Sequence, residues 1–166
     1  METPIRRSIN VTMPRTECRD IQLAADLAQA ARTRSGTASR RLTTGEFAAR
    51  ALMHARGSAH WWVYGAGFRP QTRQPGTVDT TLALNWPLSL HQVIDDDIAQ
   101  LNHHSADVLD GARARRSTYL RAAIGWSAQQ VRQGKPGSWV LEDFDLDDVA
   151  ASAPRLDDRA PRGGGL

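Results

Sequence analysis

Ser8-Ile9-Asn10-Val11-Thr12-Met13-Pro14 alternates polar and apolar residues with period two, and Thr81-Leu82-Ala83-Leu84-Asn85-Trp86-Pro87 repeats the pattern 73 residues later. Each stretch predicts a six-residue strand with one apolar face, stopped by a proline that cannot donate to a ladder. The apolar faces are Ile9, Val11, Met13 and Leu82, Leu84, Trp86. The polar faces are Ser8, Asn10, Thr12 and Thr81, Ala83, Asn85.

Helical patterns follow both prolines. The first runs roughly over 15–33, with Ile21, Ala24, Ala25 and Ala28 on one stripe. The second runs roughly over 89–109, with Leu90, Ile94, Ile98 and Leu101 at helical spacing. Polar breaks come next, at Thr33-Arg34-Ser35-Gly36-Thr37 and at Asp110-Gly111. Thr43-Thr44-Gly45-Glu46 then forms a capping box, with Thr43 as N-cap and Glu46 reaching back. It opens a helix with Phe47, Ala48, Ala51 and Leu52 inward. The counterpart, offset by 72, is Arg115-Arg116-Ser117-Thr118-Tyr119-Leu120, leading into Ala123, Ile124 and Trp126.

The chain therefore holds two strand–helix–helix repeats, about 8–55 and 81–128, joined by a spacer over 56–80. One strand cannot satisfy its backbone, and one such repeat barely makes a core. Two repeats answer both needs if their strands pair into an antiparallel ribbon with all four helices beneath it. The expected fold is mostly α, with a two-stranded antiparallel β-ribbon and one module over 1–133. Trp86 and Trp126 are expected in its core, and Trp61-Trp62 packs the spacer down. Beyond the breaker Gly134-Lys135-Pro136-Gly137, residues 134–166 read as an acidic, disordered tail, with Phe144, Leu146 and Val149 interleaved among acids.

Charge is distributed unevenly. Residues 1–73 hold twelve Arg and five acids, a net +7, while residues 74–166 hold nine bases and thirteen acids, a net −4. This polarity predicts a basic working surface and an acidic tail. Twenty of the twenty-one bases are Arg. Arg suits bidentate contacts to phosphate and guanine, although a GC-rich genome gives the same bias. No apolar run approaches the ~20 residues of a membrane span. Met1-Glu2-Thr3-Pro4-Ile5-Arg6-Arg7 lacks a signal peptide's apolar stretch, so a cytoplasmic protein is expected. The single cysteine, Cys18, excludes an intrachain disulfide and a Cys-rich zinc site. His103-His104 are poorly placed to chelate. No phosphate loop, metal-binding His motif or nucleophile elbow occurs, so neither an enzyme nor a cofactor is expected.

The uncovered ribbon face carries Ser8, Asn10, Thr12, Thr81, Ala83 and Asn85. A two-stranded ribbon fits the DNA major groove, where Asn bonds adenine bidentately and Ser or Thr bond several base edges. These features, with Leu42-Thr43-Thr44-Gly45-Glu46-Phe47-Ala48-Ala49-Arg50-Ala51-Leu52 opening the second helix, resemble the ribbon-helix-helix superfamily. That family normally works as a dimer of single units. Two units in one chain, an intramolecular pseudo-dimer, are similar to the tandem members among TraY-type relaxosome proteins and VirC-type T-DNA transfer proteins. The resemblance covers about 95 of the 166 residues. It implies base reading by the ribbon and phosphate binding at each second helix's N-terminus, where free amides and the helix dipole favour an anion. Thr43 and Thr44 match that position, with Arg6, Arg7, Arg40 and Arg41 adding charge. The second repeat departs from the pattern. Arg115 stands at the N-cap and Ser117 comes two residues later, beside Arg113 and Arg116.

The expected function is sequence-specific binding of double-stranded DNA, as an accessory factor in plasmid or T-DNA transfer. A repressor or antitoxin of the same type, and an interaction module that has lost DNA binding, are the alternatives. The expected protein is a monomer able to assemble side by side on DNA. A relaxase, another transfer-machinery protein or a toxin would be met through the acidic tail.

Overall fold

The computed structural model describes residues 5–36, 41–58, 78–103, 113–143 and 145–156. Both alternating stretches form strands, each longer than its pattern: β1 is Arg6–Pro14 and β2 is Asp79–Pro87. They pair antiparallel, with Asn10 opposite Ala83 at the middle of each strand. Period two puts Ile9, Val11, Met13, Leu82, Leu84 and Trp86 on one buried face. Each such burial is worth about 1.5–3 kcal/mol, and a one-residue slip would turn all six outward. The register is therefore strongly specified.

Helix α1 (Arg15–Ser35) starts directly after Pro14 and ends at Gly36, whose φ of 73° is the left-handed turn a glycine adopts without strain. Helix α2 (Thr44–Gly57) is capped as the sequence predicts, the Thr43 hydroxyl accepting from the Glu46 amide at 3.1 Å. Helix α3 spans Leu88–His103 and α4 spans Arg116–Arg132. The predicted continuation of α3 over 104–109, Arg40, His104 and the Trp61-Trp62 spacer lie outside the described residues. Helix α1 packs across α4, and α2 also packs on α4. Helix α2 lies against β2 and α4 against β1, so each second helix supports the other repeat's strand.

Hydrogen bonds recur at the sequence offsets. The Leu88 amide donates to Ile5 O at 3.0 Å and the Arg15 amide to Val78 O at 2.9 Å. Gln29 Oε1 accepts from the Leu42 amide at 2.7 Å, as Asn102 Oδ1 accepts from the Ala114 amide at 2.7 Å. In each pair the two bonds link equivalent residues of the two repeats.

The reading of 134–166 as a disordered tail is corrected for residues 137–143 and 145–156. Helices α5 (Gly137–Leu141) and α6 (Leu146–Ala151) are docked on the module, and Val140, Ala150 and Leu156 are buried in its core. The module thus extends at least to Leu156. Three interior arginines hold this strap. Arg32 donates to Val140 O at 3.0 Å and pairs with Asp143 at 2.5 Å. Arg50 donates to Trp139 O at 3.2 Å and to Glu142 O. Arg56 donates to Pro154 O at 2.8 Å.

Candidate nucleic-acid interface

The six residues expected to read bases come together. Ser8 lies opposite Asn85, Asn10 opposite Ala83, and Thr12 opposite Thr81. All six are exposed, and the residues between them, Ile9, Val11, Leu82 and Leu84, are buried against the helices. The Thr12 and Thr81 hydroxyls lie 3.5 Å apart across the ribbon. The result is a row of three cross-strand pairs, uncharged and rich in donors and acceptors.

The residues expected at phosphates do not form one group. Arg6 shares the parity of Ser8, Asn10 and Thr12, so it belongs to the same exposed row. Arg7 is paired with Trp86 and is exposed at the ribbon end, where its carbonyl is 3.1 Å from His91 Nε2. Trp86 Nε1 donates to Gly45 O at 3.0 Å and fixes the first turn of α2 against the end of β2. Thr43 is exposed there and Thr44 is half-exposed, with Arg41 beside them at 83 % side-chain exposure, 4.0 Å from Asp26. At the start of α4, Arg113, Arg115 and Ser117 are exposed. Arg116 is also exposed but pairs with Asp95 at 2.7 Å.

The two helix starts differ electrostatically. That of α2 has a side-chain cap and Glu46 in its first turn. That of α4 has no side-chain cap, no acid and three arginines within 113–116. Cations oppose the dipole at an N-terminus, so an anion there relieves more repulsion at α4 than at α2. The capping pattern in the sequence, taken alone, ranks them the other way.

Sequence reasoning missed a buried polar network under the ribbon. Arg56 holds Asp97 bidentately, at 2.6 and 2.8 Å, and the Tyr119 hydroxyl donates to the same carboxylate. Burial pushes the Asp97 carboxyl up against the pull of Arg56 and Tyr119, and holds the Tyr119 phenol well above its ordinary value. A signal was available. Asp97 lies three residues after Ile94 and four before Leu101, on the buried stripe itself. Burial likewise raises the Cys18 thiol, a core group.

No grouping of three or more His, Cys, Asp or Glu suited to a metal ion occurs among the described residues. No helix among them is long and apolar enough to cross a membrane. No family model matches the chain, and neither does any curated protein or solved structure.

Proposed function

We propose that this chain binds double-stranded DNA in a sequence-specific way, laying its ribbon in the major groove as a single-chain pseudo-dimer of ribbon-helix-helix type. The observation that carries the reading is the row Ser8–Asn85, Asn10–Ala83 and Thr12–Thr81, exposed on one face of a ribbon whose other face is covered by helices. A two-stranded ribbon of this kind enters the major groove, and Asn10 and Asn85 can each discriminate adenine. The recurrence of hydrogen bonds at offsets of 73 and 72 supports a pseudo-two-fold axis passing between Asn10 and Ala83. Around that axis the half-sites meet unlike residues, so the bound sequence is not palindromic. The Arg-rich starts of α2 and α4 hold flanking phosphates.

A role in plasmid or T-DNA transfer rests on the resemblance to tandem members of those systems. A relaxase gene beside this one would favour that role, and a small toxin gene would favour an antitoxin. Arg32 and Arg50 tie the acidic segment to the module through Asp143, and a relaxase or toxin would meet it there rather than as a free peptide.

Selection from random duplex DNA tests the proposal. Asn10→Ala and Asn85→Ala should each cost about 1–3 kcal/mol of discrimination, at different base positions. Arg41→Ala with Arg115→Ala should weaken binding to all sequences and flatten the salt dependence by about 0.9 for each phosphate no longer neutralised. Absence of any enriched sequence, or both Asn variants relaxing one base of an inverted repeat, would overturn it.

A further inference from the structure

The reading row has a charged end that its uncharged centre does not foreshadow. Arg6 lies two residues before Ser8, so the strand period carries it onto the face of Ser8, Asn10 and Thr12. Arg7 falls on the opposite parity, across from Trp86. Arg6 sits opposite Pro87, and its guanidinium reaches over the ribbon to donate to Asn85 O at 3.2 Å. Asn85 is the partner of Ser8, so the guanidinium is held at the end of the row rather than swung outward. Arg6 is exposed, and no described carboxylate neutralises it.

The repeat offset of 73 places Asp79 at the equivalent position of β2. It shares the parity of Thr81, Ala83 and Asn85, opposite Pro14 at the other end of the ribbon. A carboxylate accepts but does not donate, so Asp79 cannot bond the O6 and N7 acceptors of guanine. An arginine bonds both at once, through two parallel N–H groups. Arg6 to Pro14, which Asp79 faces, spans about 27 Å of strand, so the two ends meet base pairs several steps apart.

We propose that Arg6 is a specificity-determining residue: it reads a guanine at one end of the bound site, and the Asp79 end lacks the matching guanine. The single guanine sets the direction in which the chain lies on DNA. This rests on the ribbon being the DNA-reading surface.

The probe is a pool of random-sequence duplexes, enriched with the full chain and with Arg6→Lys. Lysine keeps the charge and loses the fork. The expected result is a wild-type site with guanine at one end. Arg6→Lys should lose that one preference, bind the wild-type site roughly 5- to 150-fold more weakly, and keep the salt slope. A second measurement needs no variant: 7-deazaguanine at that position removes the N7 acceptor and should weaken wild-type binding. Identical enrichment by the two proteins, no loss with 7-deazaguanine, or guanine at both ends of an inverted repeat overturns the role of Arg6 and leaves DNA binding standing. A wild-type chain that retains no duplex overturns the ribbon reading, and this inference with it.

Discussion

The first repeat buries three arginines, Arg32, Arg50 and Arg56, at 3 %, 7 % and 2 % exposure, whereas the related positions of the second repeat are Ser105, Ala122 and Ala128. The contrast extends to their surroundings. Asp97 and Tyr119, which meet Arg56, correspond to Ala24 and Phe47 in the first repeat, and all of these are buried. Asp97, Arg56 and Tyr119 meet directly, where the equivalent positions hold Ala24, Ala128 and Phe47. An interior guanidinium needs a partner, since each unpaired buried ion costs several kcal/mol. Here the partners come from the second repeat and from the strap. The buried charges of residues 5–58 thus find their partners outside that segment, in Asp97, Tyr119 and the strap.

The largest test of that contrast isolates the first repeat. Residues 5–58 alone should not form a folded dimer at tens of micromolar, because pairing two of them sets Arg56 against Ala24 twice. The cost, several kcal/mol per ion, rivals the whole stability of a small domain, about 5–15 kcal/mol. Circular dichroism and sedimentation check it, with the full chain as a folded monomer beside it. A cooperative, folded dimer of 5–58 would remove the arginines as the discriminating feature.

Ending the chain after Gln133 comes next. This removes Val140, Ala150 and Leu156 from the core and leaves Arg32 and Arg50 without the carbonyls they hold. Lost burial of three aliphatic side chains and two unpaired guanidinium groups should cost about 5 kcal/mol or more in urea unfolding. A drop under about 1 kcal/mol would mean the strap only rests on the module.

Breaking the network from one side should cost about 3–5 kcal/mol, as Arg56→Ala or Asp97→Ala leaves a charge buried alone. Removing all of it with Arg56→Met, Asp97→Leu and Tyr119→Phe should return stability to within about 1 kcal/mol of wild type, or above it. If the triple variant is as unstable as the singles, the polar network contributes more than packing can replace, and the two helix interfaces then differ in strength as well as in chemistry.

The apolar half of this contrast was legible in the sequence and the charged half was not. Ile9, Val11 and Met13 announce a strand because one covered face forces period two. Thr43 and Glu46 announce a helix start because the bond between them is local, three residues apart. Arg32 and Arg50 announce nothing, since a helical arginine is usually solvated and their partners in the strap lie 89 to 111 residues away. The strap itself, rich in acids and opened by Gly134 and Pro136, has the composition of disorder until those arginines are brought to it. For the exposed ribbon face, alternation marked the six short residues, but Arg6 joins them only because β1 begins two residues before that pattern.

A smaller effect marks the α1–α4 side, where the ion pairs are partly exposed. Arg121 holds Glu17 bidentately at 2.9 and 2.7 Å, and Arg132 lies 3.3 Å from Asp20. A double-mutant cycle on Glu17 and Arg121 should give about 1 kcal/mol or less and shrink in high salt. A coupling as large as that of Arg56 and Asp97 would erase the distinction between the two sides.

The finest test uses a place where residues at equivalent positions touch as unlike rings. His54 and Trp126 are related by the offset of 72 and stack on each other at 5.7 Å, while Trp139 of the strap also stacks on His54 at 4.8 Å. Burial lowers the His54 pKa, and its hydrogen bond with Gln130 offsets part of that shift. The fold therefore favours neutral imidazole. The unfolded chain takes up the proton first, as pH falls through about 6.5. Stability should be unaffected by this group well above that pH, decline as pH drops below it, and level off once the folded form is protonated too. Asp97 has the opposite sign, because burial raises its carboxyl, so the two must be separated. His54→Gln does this: subtracting its urea-unfolding profile from that of wild type between pH 8 and pH 5 cancels Asp97 and leaves the imidazole. A difference that is flat across that range would place His54 in water rather than between the two indoles, and the strap would then not close over this face of the first repeat.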